Sequence, residues 1–343
     1  LTMIEQLKAY ISENKDKFLE IKKPDQLTVF QMSGANIRKE FNKIIFLIFE
    51  KNSRYPAVCA MISRDNRYEE RLSSEYKNLR FIRGSTSDLI KNSIPRPIAL
   101  GKIENHSVLF EAAVPGRSLE WITSLNTHFR AKRSVSNFFR IAERWLVQFF
   151  KETNKFEKYK SYAEKRQYMG TIINTYSKNF TLAEEEKKGL DDLSFESEEI
   201  ARSNISFLPQ HMHFWTGSLF LLKDRIKVID WKVYGENCLP LFDLLSFTTT
   251  YGLKFNKSSV SDSFQHTYFK KNWFSRIVSE TIFDYCSELQ VNTKYVRPLL
   301  ALNLVETANY AHSMCRPNEP YYVYLWRGLF REYLFNKNSF RIE

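Results

Sequence analysis

Between Gln210 and Trp231 the chain gathers two imidazoles, a hydroxyl and a carboxylate: His211, His213, Ser218 and Asp230. What brings them together is a hairpin. The apolar run Leu219–Leu222, the pair Lys223 and Asp224, and the alternating run Arg225–Ile229 read as two antiparallel strands joined by a tight turn. Centred on that turn, the register pairs Leu221 near Ile226 and Leu219 near Val228. It places Ser218 opposite Ile229 and Asp230. A carboxylate and a hydroxyl therefore leave the same end of an apolar ribbon, and the preceding loop delivers His211 and His213 to that neighbourhood. This is the layout of a metal–phosphate site. Three roles stay open for the histidines. A neutral imidazole titrating near about 6.5 can act as general base at His213. His211 and His213 with Asp230 can hold a transition metal. His213 can also be a filler at a place where chemistry has been lost. Ser218 keeps an oxygen able to meet a metal ion, and Asp230 reads otherwise as a strand-end turn residue.

The elements that must position these groups fall into two halves. Residues 1–27 form a helical lead-in, with a helix expected over about 2–20. Strand-like runs follow at Thr28–Met32, Lys43–Phe49 and Ala57–Ile62, with Asn52–Pro56 as a turn. A helix is expected over 66–82, since Leu72, Tyr76, Leu79 and Ile82 recur at helical spacing. Glu75 falls on that apolar stripe, so it is an expected buried carboxylate. Two strands, Ile98–Leu100 and Ser107–Glu111, bracket Gly101, and Val114–Gly116 turns the chain out of a lobe spanning 28–116. From 117 to 343 the reading is mostly helical, apart from the embedded hairpin. A small β-rich lobe followed by a larger helical one is an α+β, two-lobed pattern.

Composition agrees with a folded chain of about two domains. The 343 residues are 43% hydrophobic and 15% aromatic. The net charge of +12 favours anionic partners such as nucleotides. No zinc-finger spacing, RNA-binding aromatic strand or long basic run supports nucleic acid. Cys59, Cys238, Cys286 and Cys315 fit neither a disulfide framework nor a zinc site and read as buried thiols. The first residues carry acid and amide groups where a secretory signal has an apolar core, so a cytoplasmic location is expected. No apolar run near the start reaches the length of a membrane span. Peripheral membrane contact and a protein partner are left open.

The segment around the hairpin resembles the aminoglycoside phosphotransferase/choline kinase-like branch of the protein-kinase-like fold. That family reads His-Gly-Asp-x-x-x-Gly-Asn, a hairpin, then Ile/Val-Asp-Trp/Phe. Here the loop is His211-Met212-His213-Phe214-Trp215-Thr216-Gly217-Ser218, and the hairpin leads to Val228-Ile229-Asp230-Trp231. The continuation Leu239–Phe247 is also similar, most closely to members found among bacterial surface-glycan synthesis genes. Val108–Glu111 through Leu119 resembles the linker between lobes, and Ala57 to Leu79 resembles the lysine strand and its following helix. The likeness spans about residues 28–335.

The resemblance implies ATP and Mg as cofactors, with a small-molecule or glycan hydroxyl as acceptor. It implies metal binding at Asp230 and Ser218, and nucleotide contacts at the Met61 lysine position, Glu75 and Glu111. His211 becomes a structural histidine. Asp243 reads as a structural helix N-cap. Three core positions depart from the family: its catalytic Asp falls on His213, its metal-binding Asn on Ser218 and its strand Lys on Met61, while Asp230 and Glu75 are retained. Met61 cannot pair with Glu75 or with phosphate. Lys43, Lys51 or Arg64 could supply the missing cation from neighbouring strands. The roof-loop segment Gln31–Asn36 carries one glycine, Gly34, and is weak by itself. The expected function is a degenerate (pseudo)kinase that binds a nucleotide or a partner. The alternative is an active ATP- and Mg-dependent phosphotransferase with His213 as base.

Overall fold

A computed structural model describes residues 2–32, 43–63, 66–125, 131–314 and 321–340. The roof-loop residues 33–36, together with Arg64 and Cys315, lie outside the described residues. The chain forms two compact units. One, here the sheet unit, comprises Leu1–Ser118 and Ser218–Tyr234; the other, the helical unit, comprises Leu119–Gly217 and Gly235–Glu343. The hairpin is embedded in the helical half of the sequence and sits with the sheet.

The sheet unit opens with α1 (Met3–Glu13), closed at its start by a reciprocal cap: Thr2 Oγ1 accepts the Glu5 N–H and Glu5 accepts the Thr2 N–H. The helix is shorter than the expected 2–20. Its end is fixed at Asn14, whose backbone and side-chain N–H groups both bond to the Tyr10 carbonyl, and a single 3-10 turn follows. Strands β1 (Leu27–Gln31), β2 (Lys43–Glu50) and β3 (Val58–Ser63) lead to α2 (Asn66–Ser85). A short α3 (Asp88–Lys91), absent from the sequence reading, precedes β4 (Pro97–Ile103) and β5 (His106–Ala112). The sheet order is β1-β2-β3-β5-β4, antiparallel throughout.

Alternation sorts the strand side chains onto two faces. Phe46, Ile48, Val58, Ala60, Ile62, Val108 and Phe110 build one core with Leu7, Ile11 and Phe18. Tyr10 stacks on Phe110 at 4.9 Å, and Phe18 meets that ring edge-on at 5.2 Å. Gly101 does not follow the end of a strand, as the expected bounds had it, but lies inside β4. A Cβ there would collide with the Tyr10 ring, so glycine is needed for the close approach of α1. The reversal comes at Glu104, whose φ is 51°. On the opposite face, Met61 and Leu109 pack with Leu72 of α2, flanked by Ile45, Cys59 and Tyr76.

A second sheet joins β6 (Arg117–Ser118), β7 (Leu219–Leu222) and β8 (Arg225–Val228) in that order. The register is the expected one, Leu219 with Val228 and Leu221 with Ile226, and Lys223 carries the turn at φ 57°. Gly116 precedes β6 at φ 121°, and a Cβ on it would lie 2.6 Å from the Leu221 carbonyl oxygen. Only glycine lets β6 approach β7 here.

The helical unit contains α4 (Leu119–Leu125), α5 (Ala131–Thr153), α6 (Tyr162–Asn179), α7 (Glu184–Arg202), α8 (Phe242–Phe255), α9 (Val260–Tyr268), α10 (Trp273–Glu288), α11 (Val296–Met314) and α12 (Tyr321–Asn336). Phe139 of α5, Phe247 and Tyr251 of α8 and Phe274 of α10 form an aromatic cluster. Glu186 of α7 is buried and held by Arg327 and Arg331 of α12 and by the Tyr176 hydroxyl of α6. Cys238 and Cys286 are buried free thiols, and Cys59 is half-buried. No helix among the described residues is long and apolar enough to cross a membrane.

Candidate functional site

Seven residues of the sheet unit converge chemically. Strand alternation and the cross-strand rows Leu47–Cys59–Glu111 and Ile45–Met61–Leu109 put Lys43, Cys59, Met61 and Glu111 on the sheet face that receives α2. Glu75 points inward from that helix with 1% exposure. The Glu75 carboxylate does not pair with a residue at position 61. Its Oε1 accepts the Trp231 N–H at 3.1 Å, and Asn78, one turn further along α2, donates to the Trp231 carbonyl at 2.8 Å. The Trp231 indole, fully buried, donates back to the Val228 carbonyl at 3.0 Å. Three bonds thus fix the end of β8, where Asp230 adopts a left-handed φ of 73° that Asp tolerates better than most residues.

Two lysines converge on Asp230. Lys43 Nζ lies 3.9 Å from its Oδ1 and 3.4 Å from the Met61 sulfur. Lys232 Nζ lies 2.6 Å from the same oxygen. All three side chains are largely buried, at 10% exposure for Lys43, 7% for Lys232 and 16% for Asp230. Of the two described cations among those expected from the sequence, Lys43 is placed beside Met61 and Lys51 sits exposed in the turn beyond β2. Burial raises the Glu75 pKa, with Lys43 opposing and Asp230 reinforcing the shift. Burial raises Glu111 well above the carboxylate range, and the neighbouring Glu75 adds to it. Glu75 Oε2 and Glu111 Oε2 are buried with no hydrogen-bond partner among the described residues, which suits protonated carboxyl groups. Ser218 is buried, and its carbonyl accepts the Ile229 N–H at 3.0 Å, extending the hairpin register one step beyond β7.

The histidine loop belongs to the helical unit. Asp243 is not the N-cap of α8, as the sequence suggests; Leu241, at φ 61°, occupies that place. Asp243 instead reaches out of its helix. Its carboxylate accepts the His211 N–H at 2.7 Å and the Met212 N–H at 2.8 Å, fixing the backbone where Met212 takes φ 66°. Burial pushes Asp243 up to about 7, although both N–H bonds pull it down. His211 is fully buried, edge-on to Phe214. His213 is half-buried, with Nε2 3.4 Å from the Tyr310 hydroxyl of α11. Asp230, Ser218, Met61, Glu75 and Glu111 therefore share one unit, and His211, His213 and Asp243 share the other. No group of three or more His, Cys, Asp or Glu side chains among the described residues is arranged to hold a metal ion.

The sequence reading missed Lys232, Asn78 and Tyr310. Tyr310 and Asn78 carried no local signal. Lys232 was visible two residues beyond Asp230, but only its turn back toward the carboxylate gives it meaning.

No known family pattern matches the sequence, and no curated protein does. Solved structures do match. The GDP complex of wild-type aminoglycoside 2'-phosphotransferase-IIIa aligns over 98% of this chain and 100% of its own, with a TM-score of 0.56 at 12% identity. A thermostable mutant of aminoglycoside phosphotransferase APH(4)-Ia, in ternary complex with AMP-PNP and hygromycin B, covers 93% and 98%, with a TM-score of 0.55 at 12% identity. A glucosamine kinase in complex with glucosamine, ADP and inorganic phosphate covers 92% and 81%, with a TM-score of 0.51 at 10% identity. The chain has a protein-kinase-like fold.

In a kinase-like fold the resemblance asks for a divalent ion at Asp230 and Ser218, and the side chains present do not fit one. Such an ion needs a shell of oxygen ligands. Here the Asp230 oxygen is already in contact with one buried ammonium and stands 3.9 Å from a second. A divalent ion added there would meet two like charges.

Proposed function

We propose that this chain is a nucleotide-binding pseudokinase of the aminoglycoside phosphotransferase type, cytoplasmic, with a role in surface-glycan assembly. One observation carries the reading: Lys43, on β2, lies beside Met61 and 3.9 Å from Asp230, so a cation stands next to the family's lysine position although that residue is Met. The similar solved proteins are complexes with GDP, AMP-PNP and ADP, which supports a nucleotide as ligand. Turnover is a different matter. Phosphoryl transfer depends on positioning and charge stabilisation by several groups acting together. An imidazole at His213 supplies no fixed negative charge beside an acceptor hydroxyl, and Ser218 is shorter than an Asn.

The test is thermal shift with ATP, GTP and ADP, alongside turnover of ATP with sugar and aminoglycoside acceptors. The expected result is a clear nucleotide shift with turnover far below about 1 per second, the low end of ordinary enzymes. Absence of any nucleotide shift would defeat the reading.

A second reading is favoured by the contact between His213 and the Tyr310 hydroxyl, which orients the imidazole. On this reading the protein is an active phosphotransferase acting on a small-molecule or glycan hydroxyl with His213 as base. Turnover at about 1 per second or faster, abolished in Asp230→Ala and His213→Ala, would establish it.

A further inference from the structure

We propose that α12 is the contact surface of a homodimer, in which a second copy of this chain packs antiparallel on the same helix about a two-fold axis at Gly328. The helix belongs to the helical unit, so this contact is independent of the nucleotide reading. Tyr321, Tyr324, Gly328, Arg331 and Phe335 are spaced three and four apart, which puts them on one face, within about 80° of the helix circumference. All five are exposed, and the three rings stand 61%, 65% and 77% open to solvent. Exposed rings scattered singly are ordinary, whereas a continuous aromatic stripe marks an interaction surface. The stripe is also presented on a firmly seated element. Val323, Trp326, Leu329, Phe330 and Tyr333 bury the opposite face. Glu332 accepts hydrogen bonds from Ser261 and Gln265 of α9, and Arg327 and Arg331 hold Glu186 of α7.

Three features select a second copy as the occupant. Gly328 sits in the helix interior, where glycine is destabilising relative to alanine, and a Cβ built on it meets nothing within 4 Å. Among the described residues no neighbour requires a glycine there; a helix backbone arriving from outside does. The stripe is also self-complementary under reversal. Tyr321 and Phe335 each lie seven residues from Gly328, and Tyr324 and Arg331 lie four and three away on opposite sides. An antiparallel copy therefore sets Tyr321 beside Phe335 and Tyr324 beside Arg331, twice each, as an isologous interface demands. Charge agrees with this pairing. Arg331 is the single charge on the stripe; it is anchored on Glu186 with its side chain still 46% exposed. Across the interface it meets the Tyr324 ring, a cation–π contact, while the two Arg331 stay about 9 Å apart along the helices. A lipid surface would need neither the central glycine nor the reciprocal spacing. Six aromatic rings, each with about 150–250 Å² of surface and about two-thirds of it open, together with Gly328 and Arg331 bring the buried area to about the 1,000 Å² at which specific interfaces begin. The dimer is accordingly weak, with a Kd of about 1–100 μM.

The test is sedimentation equilibrium of the full chain from about 1 to 200 μM, a range that brackets that constant. The mass should rise with concentration from that of one chain to that of two. Gly328→Leu fills the two-fold axis and Phe335→Glu puts a charge in the aromatic pair, so each should weaken association by at least about tenfold. Thermal melts of the dilute variants should match wild type, because both positions are exposed. Gly328→Ala should raise the melting temperature of the dilute chain and still weaken the dimer. Gly328→Cys should give a disulfide-linked dimer on mild oxidation where wild type does not, because this position meets its own copy. A chain that stays monomeric throughout the range overturns the inference, as does a dimer that Gly328→Leu and Phe335→Glu leave unchanged. Binding of the monomer to vesicles of anionic phospholipid, lost in Phe335→Glu, assigns the stripe to a membrane surface and overturns it too.

Discussion

Replacing Asp243 tests how the histidine loop is held. Its carboxylate is fully buried and accepts two backbone N–H groups, from His211 at 2.7 Å and Met212 at 2.8 Å. Asp243→Ala strands both donors in the interior. Each unsatisfied buried group costs about 1–3 kcal/mol, giving about 2–6 kcal/mol for the pair. That is a large share of the roughly 5–15 kcal/mol by which a domain is stable. Asp243→Asn keeps one acceptor oxygen and turns an NH2 toward the other donor, so about half the loss is expected, on the order of 1–3 kcal/mol. Urea unfolding at pH 5 followed by fluorescence should rank wild type above Asn above Ala, with an unchanged slope.

The pH dependence has a definite sign. Burial raises Asp243 from 3.8 to about 7 in the folded chain. The folded state therefore holds its proton more tightly than the unfolded state. The stability this group contributes is full below about pH 4 and is lost as pH rises through about 7. The gap between wild type and Asp243→Asn should be wider at pH 5 than at pH 8, by on the order of 2–3 kcal/mol. An Asn variant as stable as wild type at both pH values would refute the anchoring role.

Three further outcomes are expected. Burial alone would raise Glu186, but hydrogen bonds from Arg327 and Arg331 outweigh it and leave the group at about 2; Glu186→Gln should cost about 3–5 kcal/mol, and acid titration of wild type should show stability present above about pH 4.5 and lost toward pH 2, a limb missing in the variant. Gly116→Ala forces a Cβ to within 2.6 Å of the Leu221 carbonyl at φ 121°, so thermal unfolding should report a loss of at least about 1–3 kcal/mol. Met61→Lys, the restoration suggested by the family resemblance, puts a second ammonium where Lys43 already approaches the sulfur at 3.4 Å; it should lower the melting temperature and fail to strengthen nucleotide binding, as calorimetry will read.

What was legible in the sequence was what short-range periodicity encodes. The runs Lys43–Phe49 and Ala57–Ile62 are β-branched or aromatic and became β2 and β3 with shifts of a residue at their ends. The hairpin register followed from its turn, and Glu75 was buried because it shares a helical stripe with Leu72 and Leu79. Tertiary packing decided the rest. Phe18 lies at helical spacing from Ile11, which lengthens α1 on paper, yet it reaches Phe110 from beyond a 3-10 turn. Asp243 has an N-cap residue's chemistry, but its carboxylate serves the backbone of a loop 31 and 32 residues earlier. Lys43 had been one of three equal choices. Strand parity alone puts it on the face of Met61, and no parity argument existed until the pairing of β2 with β3 was fixed.

Met61 and Ser218 carry no charge, and the buried acidic groups near them are balanced by burial-driven protonation and by lysines. With a methionine at position 61, Glu75 and Asp230 are two acidic groups in a largely buried setting, a costly arrangement unless they protonate or find cations. Both remedies are present. Glu75 and Glu111 are pushed toward the protonated state by burial, and Asp230 receives Lys43 and Lys232. The cations beside Asp230 come from β2, as Lys43, and from two residues beyond the carboxylate, as Lys232. An apolar residue in place of Asp230 would remove the need for either lysine, so a carboxylate held beside two buried ammonium groups is a cost to folding.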